Sequence, residues 1–153
     1  MVHHVGLRKM TVADAAAVQA IDQLVSLCPW SEKLYCDCIS VGYECWVVFE
    51  EQEILGFGVL SCAANEAHIL NLGITPAKHR LGLGQKMLQH LLDRAKICGA
   101  DEVYLEVRQS NLIAQALYKK FNFVEIGIRK GYYPPAGPNN ETEDALTLAL
   151  PLW

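Results

Sequence analysis

The sequence predicts an α/β fold in which helices cover both faces of a mixed β-sheet. Apolar residues recur every third or fourth position in four segments, as in helices, and alternate or run together in seven shorter ones, as in strands. Three strands in the middle of the chain are joined by short polar turns, whereas the strand after them lies between two helices. Hairpin neighbours pair antiparallel and strands linked through a helix can pair parallel, so the sheet should contain both arrangements.

The elements are expected in the order β-α-α-β-β-β-α-β-α-β-β, with the sheet central and the helices flanking it. Pro76 closes the fourth strand, and a segment rich in Pro, Gly and Asn at residues 132–144 is expected to be a surface loop. The strands are predicted at residues 5–9, 44–51, 54–63, 67–75, 101–108, 123–129 and 145–150.

The first two helices are predicted from capping signals. Thr11 and Asp14 have the spacing of a capping box, and Pro29 ends the helix that they start. Ser31 is expected to cap a second, short helix. The residues expected to face the core are Val18, Ile21, Leu24, Val25 and Cys28 in the first helix and Leu34, Cys38 and Val41 in the second.

The third and fourth helices carry continuous apolar stripes. Gly99 is a suitable residue to follow the third helix, and Asn111 is a suitable cap for the fourth. The inward residues are Gly84, Met87, Leu88, Leu91, Ala95 and Cys98 in the third helix and Ala114, Leu117, Tyr118 and Phe121 in the fourth.

Composition restricts the class of protein. The chain has 153 residues, 52 % of them apolar, which suits one domain over residues 1–153. Its formal charge of −4 argues against a protein that holds nucleic acid through its overall field. The sequence has no apolar run long enough to cross a bilayer, and its start lacks signal-peptide features, which indicates a cytoplasmic protein. The six cysteines form no CxxC pair, so reduced thiols are expected.

A glycine-containing turn within residues 71–85 is the main candidate for ligand binding. A strand runs into Arg80, Gly82 and Gly84 at the start of the longest helix, where free N–H groups and the helix dipole suit a pyrophosphate. Gln85 stands where a Walker A loop needs lysine, and Met87 stands where a dinucleotide fingerprint needs a small residue. A simple helix entry explains the spacing equally well.

Five short segments elsewhere in the chain are informative together with this turn. They are PWSEK at residues 29–33, LEVRQSN at 105–111, ALY at 116–118, GYYP at 131–134 and EDA at 143–145. The run at 105–111 is much more specific than the glycine turn. Together these segments resemble the GNAT family of N-acetyltransferases over nearly the whole chain.

The resemblance implies a function and a set of binding residues. Acetyl-CoA would be the co-substrate, without a metal, and direct transfer in a ternary complex would acetylate an α-amine. The most similar family members act on the N-terminal alanine of a small-subunit ribosomal protein, so the expected partner is a basic peptide, with no direct contact to nucleic acid or membrane. The oligomeric state stays open. The residues implied to bind the cofactor are Leu72, Gly73, Ile74, Arg80, Leu81, Gly82, Leu83, Gly84, Gln85 and Asn111.

Glu106 and Tyr118 are the candidate catalytic residues. Glu106 lies between apolar residues on a strand expected to be central, so its carboxylate could accept a proton from an amine. The alternative is a structural carboxylate that forms a cap or pairs with Arg108 or a helix end. The Tyr118 phenol could protonate a thiolate leaving group, whereas packing in the helix core is the alternative. Both positions match the family's base and acid, which the resemblance therefore assigns to Glu106 and Tyr118.

Two features depart from the family pattern. His79 precedes Arg80 where Gln or Arg is usual, and this substitution leaves a backbone cradle intact. The loop at residues 134–142 is longer than in the most similar members, and a loop that borders the acceptor groove would affect the choice of peptide.

Several alternatives remain open at this point. The same fold could acetylate a small amine such as a polyamine or an aminoglycoside, or bind CoA without catalysis, although the presence of both candidate catalytic residues argues against the latter. A cysteine acyl-enzyme is conceivable, but Cys98 at a helix end is a poor nucleophile. Three histidines lack metal-ligand spacing and are expected on the surface or in packing roles: His68, His79 and His90. Three aromatic residues either line an acceptor groove or pack in the core: Trp30, Tyr132 and Tyr133.

Overall fold

A computed structural model of the chain describes residues 4–136 and 140–153. The order of helices and strands is the predicted one. Short 3₁₀ turns precede the first and third helices, at Val12–Asp14 and Pro76–Lys78. The elements are β1 (Val5–Lys9), α1 (Ala15–Val25), α2 (Glu32–Ser40), β2 (Glu44–Glu50), β3 (Glu53–Ala63), β4 (Glu66–Ile74), α3 (Leu83–Ile97), β5 (Glu102–Arg108), α4 (Leu112–Lys120), β6 (Val124–Tyr133) and β7 (Glu143–Pro151).

The strands form one sheet in the order β1-β2-β3-β4-β5-β7-β6. The β4–β5 pair is parallel, since α3 connects these strands, and every other neighbouring pair is antiparallel. The predicted mixed sheet is therefore confirmed.

The sheet opens in its middle. Pairing between β4 and β5 runs from Glu66 opposite Glu102 to Ile69 opposite Leu105 and goes no further, although β4 continues to Ile74 and β5 to Arg108. Beyond this point β4 stays paired with β3, and β5 stays paired with β7. The two central strands thus diverge, and each presents an unpaired edge to the gap between them.

A hydrophobic core lies on each face of the sheet. On one face, α3 and Tyr118 of α4 pack against strand residues such as Leu60 and Leu105. On the other, α1 and α2 place Val18 and Tyr35 against the strands. Helices flank both faces of the sheet, as predicted.

The buried faces of the first two helices differ from the prediction. α1 ends at Val25 rather than at Pro29, since Ser26 is already extended. Leu24 and Val25, predicted to face the core, are exposed, and so are Leu34 in α2 and Val41 directly after it. Tyr35 is the fully buried residue of α2, because its hydroxyl reaches the buried Asp22 of α1 and this contact sets the rotation of the helix.

Two further predictions are wrong because α3 and β6 end at other residues than predicted. Cys98 lies beyond the last turn of α3 and is exposed, whereas Leu92 takes a place in the core. β6 continues to Tyr133, so the predicted loop shortens to residues 134–142. Residues 137–139 of that loop, whose extra length was a predicted departure from the family, lie outside the described residues. In the described chain, α3 is the longest helix, and none of the helices is long and apolar enough to span a bilayer.

Candidate active site

Two adjoining cavities lie where β4 and β5 diverge. The first, about 410 Å³, is lined by the end of α1, the chain to Trp30, β4, β5 and Tyr118, and is called here the Glu106 cavity. The second, about 600 Å³, is lined by the end of β4, residues 76–85 and the start of α4, and is called the Gly82 cavity. Val25, Leu72, Asn111 and Ala114 line both. A ligand in one cavity would therefore meet a ligand in the other beside Leu72.

The Gly82 cavity is built around the N-terminus of α3. Gly82 precedes the helix with a left-handed backbone, φ 79°, and its carbonyl accepts the first helical hydrogen bond from Lys86 N–H at 3.0 Å. The N–H groups of the first turn consequently have no carbonyl one turn before them. In the described lining the charged side chains, Lys78 and Arg80, are both cationic. Free N–H groups, the helix dipole and two cations together suit a phosphate-bearing ligand.

Most of the predicted cofactor residues line this cavity. Leu81 does not, and its side chain is 65 % exposed. Nε2 of His79 lies 2.7 Å from the Ile74 carbonyl, and this contact ties the turn to the end of β4. The lining includes Leu72, Gly73, Ile74, Arg80, Gly82, Leu83, Gly84, Gln85 and Asn111.

The end of β4 brings its backbone close to the core. A Cβ on Gly73 would lie 2.9 Å from the Phe57 ring and 3.2 Å from Val25, so only glycine fits between them. The neighbouring Leu72 N–H donates to Oδ1 of Asn71 at 3.0 Å. The Leu72 amide is thus held by the side chain of its own neighbour.

Glu106 projects from β5 into the first cavity. Its side chain is 20 % exposed and lies 3.6 Å from Nε of Arg129 on β6. Among the described contacts Glu106 does not pair with Arg108, which binds Glu143 at 3.0 Å. Glu106 is consequently half-buried, faces the cavity, and has an exposed cation as its partner.

Tyr118 closes the same cavity from α4. Its ring is 8 % exposed and packs edge-on against Phe123 at 5.7 Å, so the core-packing interpretation also describes it. Burial, with a smaller effect of Tyr133, raises the pKa of Tyr118 to about 12. The phenol therefore stays protonated at neutral pH, as a proton donor must.

Arg108 holds the opposite wall of the Glu106 cavity together. Its guanidinium donates to Glu143 and, at 3.2 Å, to the thiol sulfur of Cys28, and it lies 4.2 Å from the centre of the Tyr133 ring. Hydrogen bonds from Ser110, and then from Arg108, lower the pKa of Glu143. The loop after α1, the end of β5 and the strands β6 and β7 are thereby fixed to one another.

Cys28 was predicted to face the core from the first helix. It lines the Glu106 cavity instead, because α1 ends early and the following residues turn toward β5. Its partner Arg108 lies 80 positions away in the sequence, and no local pattern signals that contact.

Asp22 is the other functional candidate that sequence reasoning missed. It is fully buried and lines the Glu106 cavity. Oδ2 accepts hydrogen bonds from Trp30 N–H at 2.9 Å, Tyr35 Oη at 2.6 Å and Asn71 Nδ2 at 3.2 Å. Its sequence signal is an acidic residue directly after Ile21 within the apolar face of α1.

Of the remaining aromatic and histidine candidates, some line the Glu106 cavity and others lie outside it. Trp30 and Tyr133 line the Glu106 cavity, whereas Tyr132 lies outside it beneath Arg129. His90 packs on Trp46, and His68 is partly exposed near Glu66. Within residues 4–136 and 140–153, no three His, Cys, Asp or Glu side chains lie close enough to hold a metal ion.

Comparison with known proteins gives this architecture a family. Residues 15–123 match the acetyltransferase (GNAT) family. The ribosomal protein bS18-alanine N-acetyltransferase (RimI) of Escherichia coli K12 is 32 % identical over 146 residues, covering 95 % of this chain and 97 % of that relative. The enzyme of the same name from Haemophilus ducreyi is 36 % identical over 130 residues, covering 85 % and 88 %.

A solved structure agrees with these relatives. The crystal structure of the ribosomal-protein-S18-alanine N-acetyltransferase from Escherichia coli superimposes with a TM-score of 0.88 at 32 % identity, covering 97 % of this chain and 94 % of that one. The chain belongs to the acetyltransferase (GNAT) family and is an N-acetyltransferase.

Proposed function

We propose that this protein transfers the acetyl group of acetyl-CoA to the α-amine of the N-terminal alanine of a small-subunit ribosomal protein. The observation that carries the proposal is the meeting of two unlike cavities beside Leu72. One offers cations and a helix N-terminus, and the other offers the carboxylates of Asp22 and Glu106. Relatives at 32–36 % identity over most of the chain bear this activity in their names.

The Gly82 cavity would hold acetyl-CoA, which supplies an activated thioester. The first turn of α3 and Arg80 would bind its phosphates through N–H groups and charge. Asn111 caps α4 by accepting from Ala114 N–H at 3.1 Å and lines both cavities, so it would lie beside the cofactor without leaving its cap. The backbone of residues 72–74 would face the thioester end.

Glu106 and Tyr118 would handle the protons. Glu106 accepts the proton that the amine loses as its nitrogen bonds to the thioester carbonyl carbon. Tyr118 donates a proton to the sulfur as the carbon–sulfur bond breaks. Transfer would be direct, with peptide and cofactor bound together.

The Glu106 cavity would take the peptide's first residue. Asp22, Glu106 and Arg108 are its charged lining residues within the described chain, and Arg108 already has Glu143 as a partner. The cavity therefore favours an ammonium group. We further propose that residues 1–153 act as one GNAT domain in the cytoplasm, where ribosomal proteins are made.

The proposal is tested by offering a panel of acceptors. The protein is incubated with acetyl-CoA and peptides that begin with Ala, Ser, Met or Lys, with spermidine and with an aminoglycoside, and the products are identified by mass spectrometry. Acetylation of the α-amine of the Ala peptide, ahead of the other acceptors, is expected. Preferential modification of a polyamine or aminoglycoside would overturn the peptide assignment, and CoA binding without turnover on any acceptor would indicate a non-catalytic domain.

A further inference from the structure

The carboxylate of Asp22 is only half satisfied by the protein. Three donors from three different elements converge on Oδ2, whereas Oδ1 is buried and has no hydrogen-bond partner in the described residues. Leaving a buried acceptor without a donor costs about 1–3 kcal/mol, and more for a charged group. A fully buried acid in this state is completed by a donor from outside the described residues, either a buried water or a group of a bound ligand.

The surroundings of Asp22 show where that donor would come from. Asp22 lines the cavity of about 410 Å³ that Glu106 and Tyr118 also line. The ligand must bring N–H groups and, because the site is a carboxylate, a positive charge. A primary ammonium has three such donors and no acceptor.

The three bonds to Oδ2 also fix the orientation of the carboxylate. Tyr35 belongs to α2, Asn71 to the diverging part of β4, and Trp30 to the loop between α1 and α2. Burial, and then the hydrogen bond to Asp22, raise the pKa of Tyr35 well above its usual range, so its phenol remains a donor. Asn71 in turn accepts from the Leu72 N–H, which links the carboxylate to the point where the two cavities join.

We propose that Oδ1 of Asp22 binds the α-ammonium of the acceptor peptide and positions it beside Glu106. The proposal rests on the function proposed above and adds the residue that recognises the free amine. Asp22 would hold the ammonium, which loses one proton to solvent to become the attacking amine, and Glu106 would accept the second proton as the nitrogen bonds to the thioester carbonyl carbon. Acetylation turns the ammonium into a neutral amide, so the same contact would favour substrate over product.

The test compares two ligands that differ only at the N-terminus. A short synthetic peptide beginning with Ala and its N-acetylated form are titrated into the CoA-bound wild-type protein and into Asp22→Asn by calorimetry. The wild type should bind the free-amine peptide more tightly. In Asp22→Asn this preference should fall by about 10- to 100-fold, with little change for the acetylated peptide, because hydrogen bonds to charged groups are worth that factor.

Asp93→Asn is the matched control. Asp93 accepts a hydrogen bond from Gln89 on the exposed side of α3 and lines neither cavity, so the same change of carboxylate to amide should retain the preference for the free amine. Asp22→Ala, which admits water to the three donors, repeats the measurement if Asp22→Asn does not fold. Equal losses for both peptides, or an unchanged preference in the Asp22 variants, would overturn the inference. Failure of the wild type to acetylate any N-terminal peptide would instead overturn the proposed function.

Discussion

The guanidinium of Arg129 on β6 lies 3.6 Å from the carboxylate of Glu106 on β5. β7 separates these two strands, so the arginine reaches across it to the edge of the cavity. Its side chain is 57 % exposed, and exposed ion pairs contribute only about 0–1 kcal/mol. An arriving ammonium would therefore displace Arg129 at little cost and leave Glu106 available for its proposed role as the base.

Glu106→Gln should abolish most of the turnover while keeping the fold and CoA binding. Gln preserves the shape of the side chain but cannot accept the amine's proton. General-base catalysis contributes about 10²–10⁴ in rate, and a loss of that size in kcat is expected.

The matched control is Glu102→Gln on the same strand. Glu102 bonds to the Tyr104 hydroxyl and does not line either cavity, so its loss should leave kcat nearly unchanged. A loss of less than about threefold for Glu106→Gln between about pH 6 and pH 9 would place the base elsewhere.

Gly82→Val should weaken CoA binding. A Cβ at Gly82 meets no protein atom within 4 Å, so the site has room, but the φ of 79° is strained for any branched residue by roughly 1–2 kcal/mol. Relief of that strain would shift the N–H groups that are expected to hold phosphate, and the added methyl groups would project toward the ligand. Calorimetric titration with CoA measures the effect.

Gly99→Val provides the comparison at the other end of α3. Gly99 has a φ of 85° and equally open surroundings, but it lies outside the Gly82 cavity. Both variants should lose similar thermal stability, and only Gly82→Val should lose CoA affinity. Equal CoA affinity in the two folded variants would contradict the proposed cradle.

The local signals in the sequence predicted the fold well. Ser31 accepts from Leu34 N–H and Asn111 from Ala114 N–H, and Thr11 N–H donates to Asp14, as expected of caps. Such contacts span three residues and can be predicted from spacing alone. The burial of Tyr35 in place of its neighbour Leu34 could not be predicted, because a contact to another helix decides it.

The site was only partly predictable for the same physical reason. Residues that the resemblance assigned, such as Glu106, Tyr118 and Gly82, do line the two cavities. Asp22 and Cys28 contact residues that are distant in the sequence. Asp22 binds Asn71, 49 positions away, and Cys28 binds Arg108, 80 positions away. Contacts at such separations depend on the sheet topology and on where α1 ends, and neither is encoded by a short motif.

Asp14→Asn should reduce stability in a pH-dependent way. Hydrogen bonds from Arg8 lower the pKa of Asp14 from 3.8 to about 2, so the charged form stabilises the fold above about pH 4, and this contribution is lost as the pH falls toward 2. The variant should lose about 1–2 kcal/mol in the free energy of unfolding at pH 7, in keeping with a lost cap. Urea denaturation at pH 7 and about pH 2.5 measures this, and the difference from wild type should narrow at the lower pH. An equal difference in the free energy of unfolding at both pH values would show that the ion pair between Arg8 and Asp14 does not cause the loss of stability.

Tyr118→Phe should lower kcat more than peptide affinity. The ring contact with Phe123 is retained, so the melting temperature should change little. Without the hydroxyl, the leaving thiolate lacks its proton donor, and a fall of about 10²-fold or more is expected. Because the pKa of Tyr118 is about 12, wild-type activity should show no loss from Tyr118 ionisation up to about pH 9. Equal kcat in the two proteins would leave Tyr118 with its packing role alone.

Direct transfer predicts that no acetyl-enzyme forms, and Cys28 is the thiol that tests this most severely. It lines the cavity shared by Glu106 and Tyr118 and lies 3.2 Å from the Arg108 guanidinium, whereas Cys98 is exposed at the far end of α3. Protein mixed with acetyl-CoA alone should show no stable mass increase of one acetyl group. Cys28→Ser should retain most of its turnover, since the hydroxyl can still accept from Arg108, and Cys98→Ser serves as the control remote from the cavity. An adduct on Cys28 that is chased onto added peptide, together with inactivity of Cys28→Ser, would replace direct transfer with a two-step reaction through the thiol.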